Sequence, residues 1–287
     1  MKKQSLMAFL LLCAALCVCA CGKKPKDNEI DYYKKVGSYD DPDDSLYQAS
    51  DKDLELIGEV TPGEKKDPTA TPTPTPIPEY VIVIDPGHGG SQVGSSYDGR
   101  EEKKLNLQRA TLLKNYLETH YDHITVYMTR TTDEGLSKDL TEDLRKRVEF
   151  AAEKHADILV SLHLNASDNH KKNGATVCIS KQPNIHDNSE KLATCILSRL
   201  ATLGIKNNGP LLRDSNDTKD ENGVPVDYYA ICRHGAANNV IAVIVESCHM
   251  DNATDIEFIK TEAALSAMAE QEAIGIMEFL TKYYVRQ

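Results

Sequence analysis

Val240-Ile-Ala-Val-Ile-Val245 is an unbroken apolar run, mostly β-branched. A strand that is apolar on both faces must be covered on both faces, and this is the signature of a parallel sheet packed between helices. Two further runs share the pattern. Tyr80-Val-Ile-Val-Ile84 stops at Asp85-Pro86-Gly87, and Asp157 to Leu162 precedes His163. Ile124, Val126 and Met128 alternate as a strand does, and Ala175 to Ile179 reads as another strand. Helical periods lie between these segments. Glu102 to Thr119 carries Leu105, Leu112, Leu113, Tyr116 and Leu117 on one face. Leu140 to Lys154 carries Leu144, Val148, Ala151 and Ala152, Ser189 to Leu203 closes at Gly204, and Thr254 to Tyr284 is mostly helical. Strands alternating with helices predict an α/β fold. A largely parallel sheet covered by helices on both faces is expected, as a single catalytic domain over residues 79–287.

The residues before this domain have a different character. Met1 to Gln4 hold two lysines, and Ser5 to Ala20 are almost wholly apolar. This is the charged start and apolar middle of an export signal, too short for a comfortable membrane span. Its end, Val18-Cys19-Ala20-Cys21-Gly22, is similar to a bacterial lipobox, so residues 1–21 read as a lipoprotein signal with acyl chains on Cys21. Residues 22–78 are rich in Asp, Lys, Ser and Pro and finish in Ala70-Thr-Pro-Thr-Pro-Thr-Pro-Ile-Pro78. Alternating Thr-Pro favours extended polyproline II, a stiff spacer of ~3.1 Å per residue. The expected product is a domain tethered at the outer face of a bacterial membrane. The net charge of −11 argues against a nucleic-acid partner, because phosphate binding needs a basic face.

Ligand sites in open α/β sheets gather at the carboxyl ends of the strands. Three ends here are polar: Asp85-Pro-Gly-His88-Gly-Gly90, Ser161-Leu-His163-Leu-Asn165 and Val245-Glu246-Ser247. A helix starting near Glu102 begins on the same edge. Two imidazoles and one carboxylate leave an open position on zinc, as in catalytic sites. Either Glu101 or Glu102 can supply the first-turn carboxylate. A second carboxylate off the metal is needed to move protons, and Glu246 suits that role.

The same segments resemble the zinc-dependent N-acetylmuramoyl-L-alanine amidase family. The likeness rests on Val81 to Gly90, Glu102-Lys-Lys-Leu-Asn-Leu107, Thr129-Arg130, Arg147, Ser161-Leu-His-Leu-Asn-Ala166 and Val245-Glu-Ser247. Their order and separations agree from Tyr80 to about Ile259. Asp143-Leu-Arg-Lys-Arg-Val-Glu-Phe150 is similar to the spore-cortex members. The resemblance implies Zn2+ held by His88, Glu102 and His163, and Glu246 as catalytic base. It selects Glu102 over Glu101.

The implied substrate is peptidoglycan, cut between N-acetylmuramic acid and L-alanine by an expected monomer. Two alternatives share the motifs: a zinc peptidase cutting within the stem peptide, and a catalytically weak wall-binding or regulatory lipoprotein. Asn165 reads equally as a substrate-orienting or a loop-capping residue, whereas Arg130 and Arg147 read as structural ion-pair residues. Cys248-His249 stand where the family usually has aromatic or aliphatic residues, and the resemblance does not extend to a motif within residues 204–228. Cys178, Cys195, Cys232 and Cys248 contain no C-x-x-C pair, so buried free thiols are expected rather than a structural zinc site.

Overall fold

The computed structural model describes residues 79–286. The expected export signal and lipobox, and the Thr-Pro tract, lie outside the described residues. In chain order the elements begin with β1 (Tyr80–Pro86), β2 (Ser96–Tyr97), β3 (Arg100–Glu101), α1 (Glu102–His120), β4 (Ile124–Met128), α2 (Leu140–Glu153), β5 (Ile158–Asn165) and β6 (Ala175–Cys178). They continue with α3 (His186–Ala201), β7 (Asn207–Leu211), β8 (Asp214–Lys219), β9 (Pro225–Asp227), α4 (Ala230–Ala237) and β10 (Ile241–His249). A short 3-10 turn at Asp255–Phe258 and α5 (Glu262–Lys282) finish the fold. No helix among the described residues is long and apolar enough to cross a membrane.

Six strands form the main sheet in the order β4-β1-β5-β10-β6-β7. β4, β1, β5 and β10 are mutually parallel, with Ile82 opposite both Val126 and Ile158, and Val243 opposite Val160. β6 runs antiparallel to β10, and β7 is parallel to β6. The expected largely parallel sheet is therefore present, with one reversal at β6.

Pleat alternation sends the two sides of each strand into two separate cores. Ile82, Ile84, Val160, Leu162, Val243 and Val245 pack against α1, α3 and α5. Val83, Leu159, Ala242 and Ile244 pack against Val148 and Ala151 of α2 and Ile231 of α4. All nine residues of β10 are buried, and the apolar run accounts for the stretch from Ile241 to Val245. Each fully buried Ile or Leu contributes about 1.5–3 kcal/mol, so the doubly covered central strands dominate stability. Helix starts are locally encoded. The Asp139 side chain caps α2 by accepting from Glu142 N at 2.8 Å, and Thr261 caps α5 by accepting from Ala264 N at 3.2 Å.

Residues 204–228 resolve into β7, which extends the sheet at one edge, and the β8–β9 hairpin, whose first strand is largely exposed. The chain reverses its direction across the sheet at β1. It passes first to β4 on one side and then to β5 on the other. This switch point opens a crevice beyond the carboxyl ends of β1 and β5.

Candidate metal centre

His88 follows β1 directly, in a turn where its own φ is 63°. A non-glycine residue in this left-handed region is uncommon and is tolerated where surrounding bonds hold it. Those bonds come from two buried arginines. Arg147 Nη2 donates to the His88 carbonyl at 2.7 Å and Nη1 to the Pro86 carbonyl at 3.0 Å. Arg130 donates to the carbonyls of Pro86 (2.8 Å), Gly87 (3.0 Å), Lys103 (2.8 Å) and Thr132 (2.8 Å). It thus ties the His88 turn to the first turn of α1. The carboxylate of Asp85 anchors Arg147 at 2.7 Å and accepts from Ser161 Oγ at 2.6 Å and from Thr129. Burial pushes the Asp85 carboxyl up, but Arg147 and the two hydroxyls outweigh it and hold it below its ordinary range.

His163 reaches the same place from β5 and Glu102 from the start of α1. Glu102 Oε1 lies 3.0 Å from His88 Nε2 and 3.1 Å from His163 Nδ1. The ligand atoms of the three residues all lie within 4.8 Å of one another. Glu101 turns away to pair with Lys104 at 2.7 Å. Glu102 is held on every side: Ser95 N donates to Oε2 at 2.8 Å, and Leu164 N and Asn106 Nδ2 donate to Oε1 at 3.1 and 3.3 Å. Burial raises its pKa, yet the two histidines overcome this and keep it well below the ordinary carboxylate range. Burial lowers the pKa of His163, favouring the neutral imidazole that binds metal. Two glycines make the space. A Cβ at Gly87 would enter the His163 ring, and one at Gly94, where φ is +68°, would strike Glu102 Oε2 and the His88 ring.

Glu246 stands opposite His163 in the parallel β5–β10 register, so both side chains leave the same face of the sheet. It is buried, and its Oε2 has no hydrogen-bond partner among the described residues. Burial and the nearby Glu102 charge push its pKa up to about 8. That is the range in which a carboxyl group exchanges protons near neutrality. A narrow cavity beside this cluster is lined by Asp85, His88, Gln92, Leu144, Arg147 and His163.

Asn165 is buried at the end of β5, and its Oδ1 accepts from Ala166 N at 2.9 Å, a bond within its own turn. His249 sits opposite Asn165, outside the three-residue group, with Nδ1 3.9 Å from Asp251 Oδ1. Cys178, Cys232 and Cys248 are buried free thiols, and Cys195 is half-buried. Sequence reasoning gave no role to Asn106 and Ser247, which lie inside the sequence motifs, and missed Arg109 and Glu272. Arg109 was detectable, because Glu102, Leu105, Asn106, Arg109 and Leu113 make one buried stripe along α1.

Known proteins are similar to this chain in sequence and in fold. A family model described as N-acetylmuramoyl-L-alanine amidase matches residues 82–278. The N-acetylmuramoyl-L-alanine amidase CwlM of Bacillus licheniformis is 42% identical over 85 residues, 30% of this chain and 31% of that protein, so the match spans about a third of the relative's length. Among solved structures, an N-acetylmuramoyl-L-alanine amidase from Clostridium difficile 630 is 27% identical with a TM-score of 0.58, covering 71% of this chain and 98% of that one. The CwlD amidase from Clostridioides difficile, solved in complex with the GerS lipoprotein, is 25% identical with a TM-score of 0.58, covering 70% and 98%. With the family model matched from β1 into α5, this chain belongs to the N-acetylmuramoyl-L-alanine amidase family.

Proposed function

We propose that this chain is a zinc-dependent amidase. It hydrolyses the bond between the lactyl carbonyl of N-acetylmuramic acid and L-alanine in bacterial peptidoglycan. The observation that carries the reading is the convergence of His88, Glu102 and His163 to within 4.8 Å at the switch point. The residues fit the ion: two imidazoles and a carboxylate are a catalytic zinc donor set, and Gly87 and Gly94 leave room that any Cβ would fill. When bound there, zinc supplies a Lewis acid that polarises the scissile carbonyl and draws a water's pKa towards neutrality.

The chain's own groups do the rest. Glu246 accepts a proton from the attacking water and returns it to the leaving nitrogen of L-alanine. Its Oε2 makes no other hydrogen bond among the described residues, so a substrate proton meets no internal competitor. Arg130 and Arg147 hold the His88 turn still, which preserves ligand geometry between turnovers. The side-chain oxygen of Asn165 serves its own turn, and this favours the loop-capping reading over the substrate-orienting one. The sequence supports residues 1–21 as a lipoprotein signal, acyl chains on Cys21, residues 22–78 as a tether, and 79–287 as the catalytic domain at the outer face of the membrane.

The test is digestion of purified peptidoglycan by the full chain, with zinc and after chelation, read by mass spectrometry. Free stem peptides beginning with L-alanine should appear only with zinc. They should fall roughly 10²–10⁴-fold in Glu246→Gln, the range of a lost proton-transfer group. Cuts inside the stem would instead mark a zinc peptidase. A folded, zinc-loaded chain that releases nothing would mark a wall-binding protein.

A further inference from the structure

We infer that Arg109 and Glu272 form a positioning pair behind the candidate metal centre, holding the His163 and Glu246 ends of β5 and β10 in register from the opposite face of the sheet. This rests on the amidase reading and deepens it. Arg109 lies on α1 and Glu272 on α5, and both are fully buried. The helices that carry them pack on the apolar core that includes Leu113, Leu162, Val245, Met268 and Ile276.

The bonds of the pair run to the two strand ends that carry the chemistry. Arg109 Nη2 donates to the His163 carbonyl at 3.1 Å. Arg109 Nη1 stands 3.7 Å from Glu272 Oε1 and donates to Met268 Sδ at 3.3 Å. Glu272 Oε1 accepts from Ser247 Oγ at 2.6 Å, and Ser247 directly follows Glu246. One buried bridge therefore links the backbone of a metal ligand to the neighbour of the base.

Two facts separate this from ordinary core stabilisation. Arg109 Nε and Glu272 Oε2 have no hydrogen-bond partner among the described residues, so the pair is under-satisfied. Well-packed apolar side chains in place of such a pair are often as stable or more so. The second fact is where the bridge sits. The β5–β10 ladder is regular up to Glu246 opposite His163 and then shifts register before His249. A register shift of this kind bends the strand and re-aims the side chains beside it. The bridge adds a side-chain constraint at this shift, beside the backbone pairing of Glu246 with His163 and Thr176.

The test is the full chain carrying Arg109→Met together with Glu272→Met. Three readouts are compared with wild type: melting of the metal-free protein, zinc affinity by titration calorimetry, and kcat and KM on a soluble muropeptide. The metal-free melting temperature should match or exceed wild type. Zinc affinity should fall about 10–100-fold, the usual effect of losing a group that orients ligands. kcat should fall while KM holds. Wild-type zinc affinity and kcat in a folded double variant would overturn the inference. If that variant does not fold, Ser247→Ala removes the bond to Glu272 with little change of volume, and unchanged zinc affinity and kcat there would overturn it equally. A wild-type chain that neither binds zinc nor releases peptide would overturn the amidase reading, and this inference with it.

Discussion

Arg147 and Arg109 are both buried at the same edge of the sheet, on opposite faces, and they are built differently. Arg147 uses its whole fork: Nε on Asp143 at 2.6 Å, Nη1 on Asp85 at 2.7 Å, and Nη2 on the His88 carbonyl at 2.7 Å. Arg109 has one good oxygen acceptor, a sulfur contact, a carboxylate 3.7 Å away and an Nε with no partner among the described residues. The first is a closed network in which each charge depends on the others. The second is an open bridge whose charges are poorly repaid. A buried charge is expensive to strand and often cheap to replace as a pair. The two arginines should therefore respond to mutation in opposite ways.

The largest effect is expected at Arg147→Met. It strands Asp85 and Asp143 together and should cost about 3–5 kcal/mol in urea unfolding, with loss of the His88 turn. A loss under about 1 kcal/mol would remove the distinction between the two arginines. Asp85→Asn should be nearly as costly, and it carries a pH signature. The folded-state pKa of Asp85 is depressed, so its stabilisation is present above the unfolded carboxylate range. It is lost as pH falls through the lower folded value. Wild-type stability should drop more steeply with acid than that of Asp85→Asn, as measured by denaturation across pH 2–6 (about the range of carboxylate titration). The Arg109→Met/Glu272→Met pair comes next, with a stability change of about zero or a gain of up to ~4 kcal/mol. The smallest effect belongs to the partly exposed Arg199–Glu278 pair between α3 and α5. Arg199→Ala should cost about 0–1 kcal/mol, with the difference shrinking in high salt.

The sheet was legible because its central strands are apolar on both faces, and only a doubly covered strand tolerates that. The reversal at β6 was not legible. Ala175 to Cys178 is too short for its period to reveal direction, and its antiparallel placement is set by pairing with Ile244 to Glu246. The β8–β9 hairpin was missed because Asp214 to Lys219 is polar on both faces, and a strand facing water on both sides leaves no hydrophobic alternation to read. At the site, His88, His163 and Glu246 stood out because polar residues ended apolar runs. Arg109 and Glu272 sat inside helices, where charged residues usually face solvent, and only the buried stripe of α1 hinted otherwise.

Composition and pattern by themselves determined the fold class, the catalytic edge and the residue types that meet there. These follow from local physics: β-branched apolar runs, helical periods, and polar residues at strand ends. Pattern alone left Glu101 and Glu102 open; the family resemblance picked Glu102, and the tertiary structure supplies the physical reason, because the rotation of α1 against β5 turns Glu102 to the imidazoles and Glu101 to Lys104. Only the tertiary structure decided that Arg147 closes a network while Arg109 leaves one open. Partners 50 to 160 residues away (about the span from His163 back to Arg109 and from Arg109 on to Met268) are chosen by packing, and packing has no local period to read.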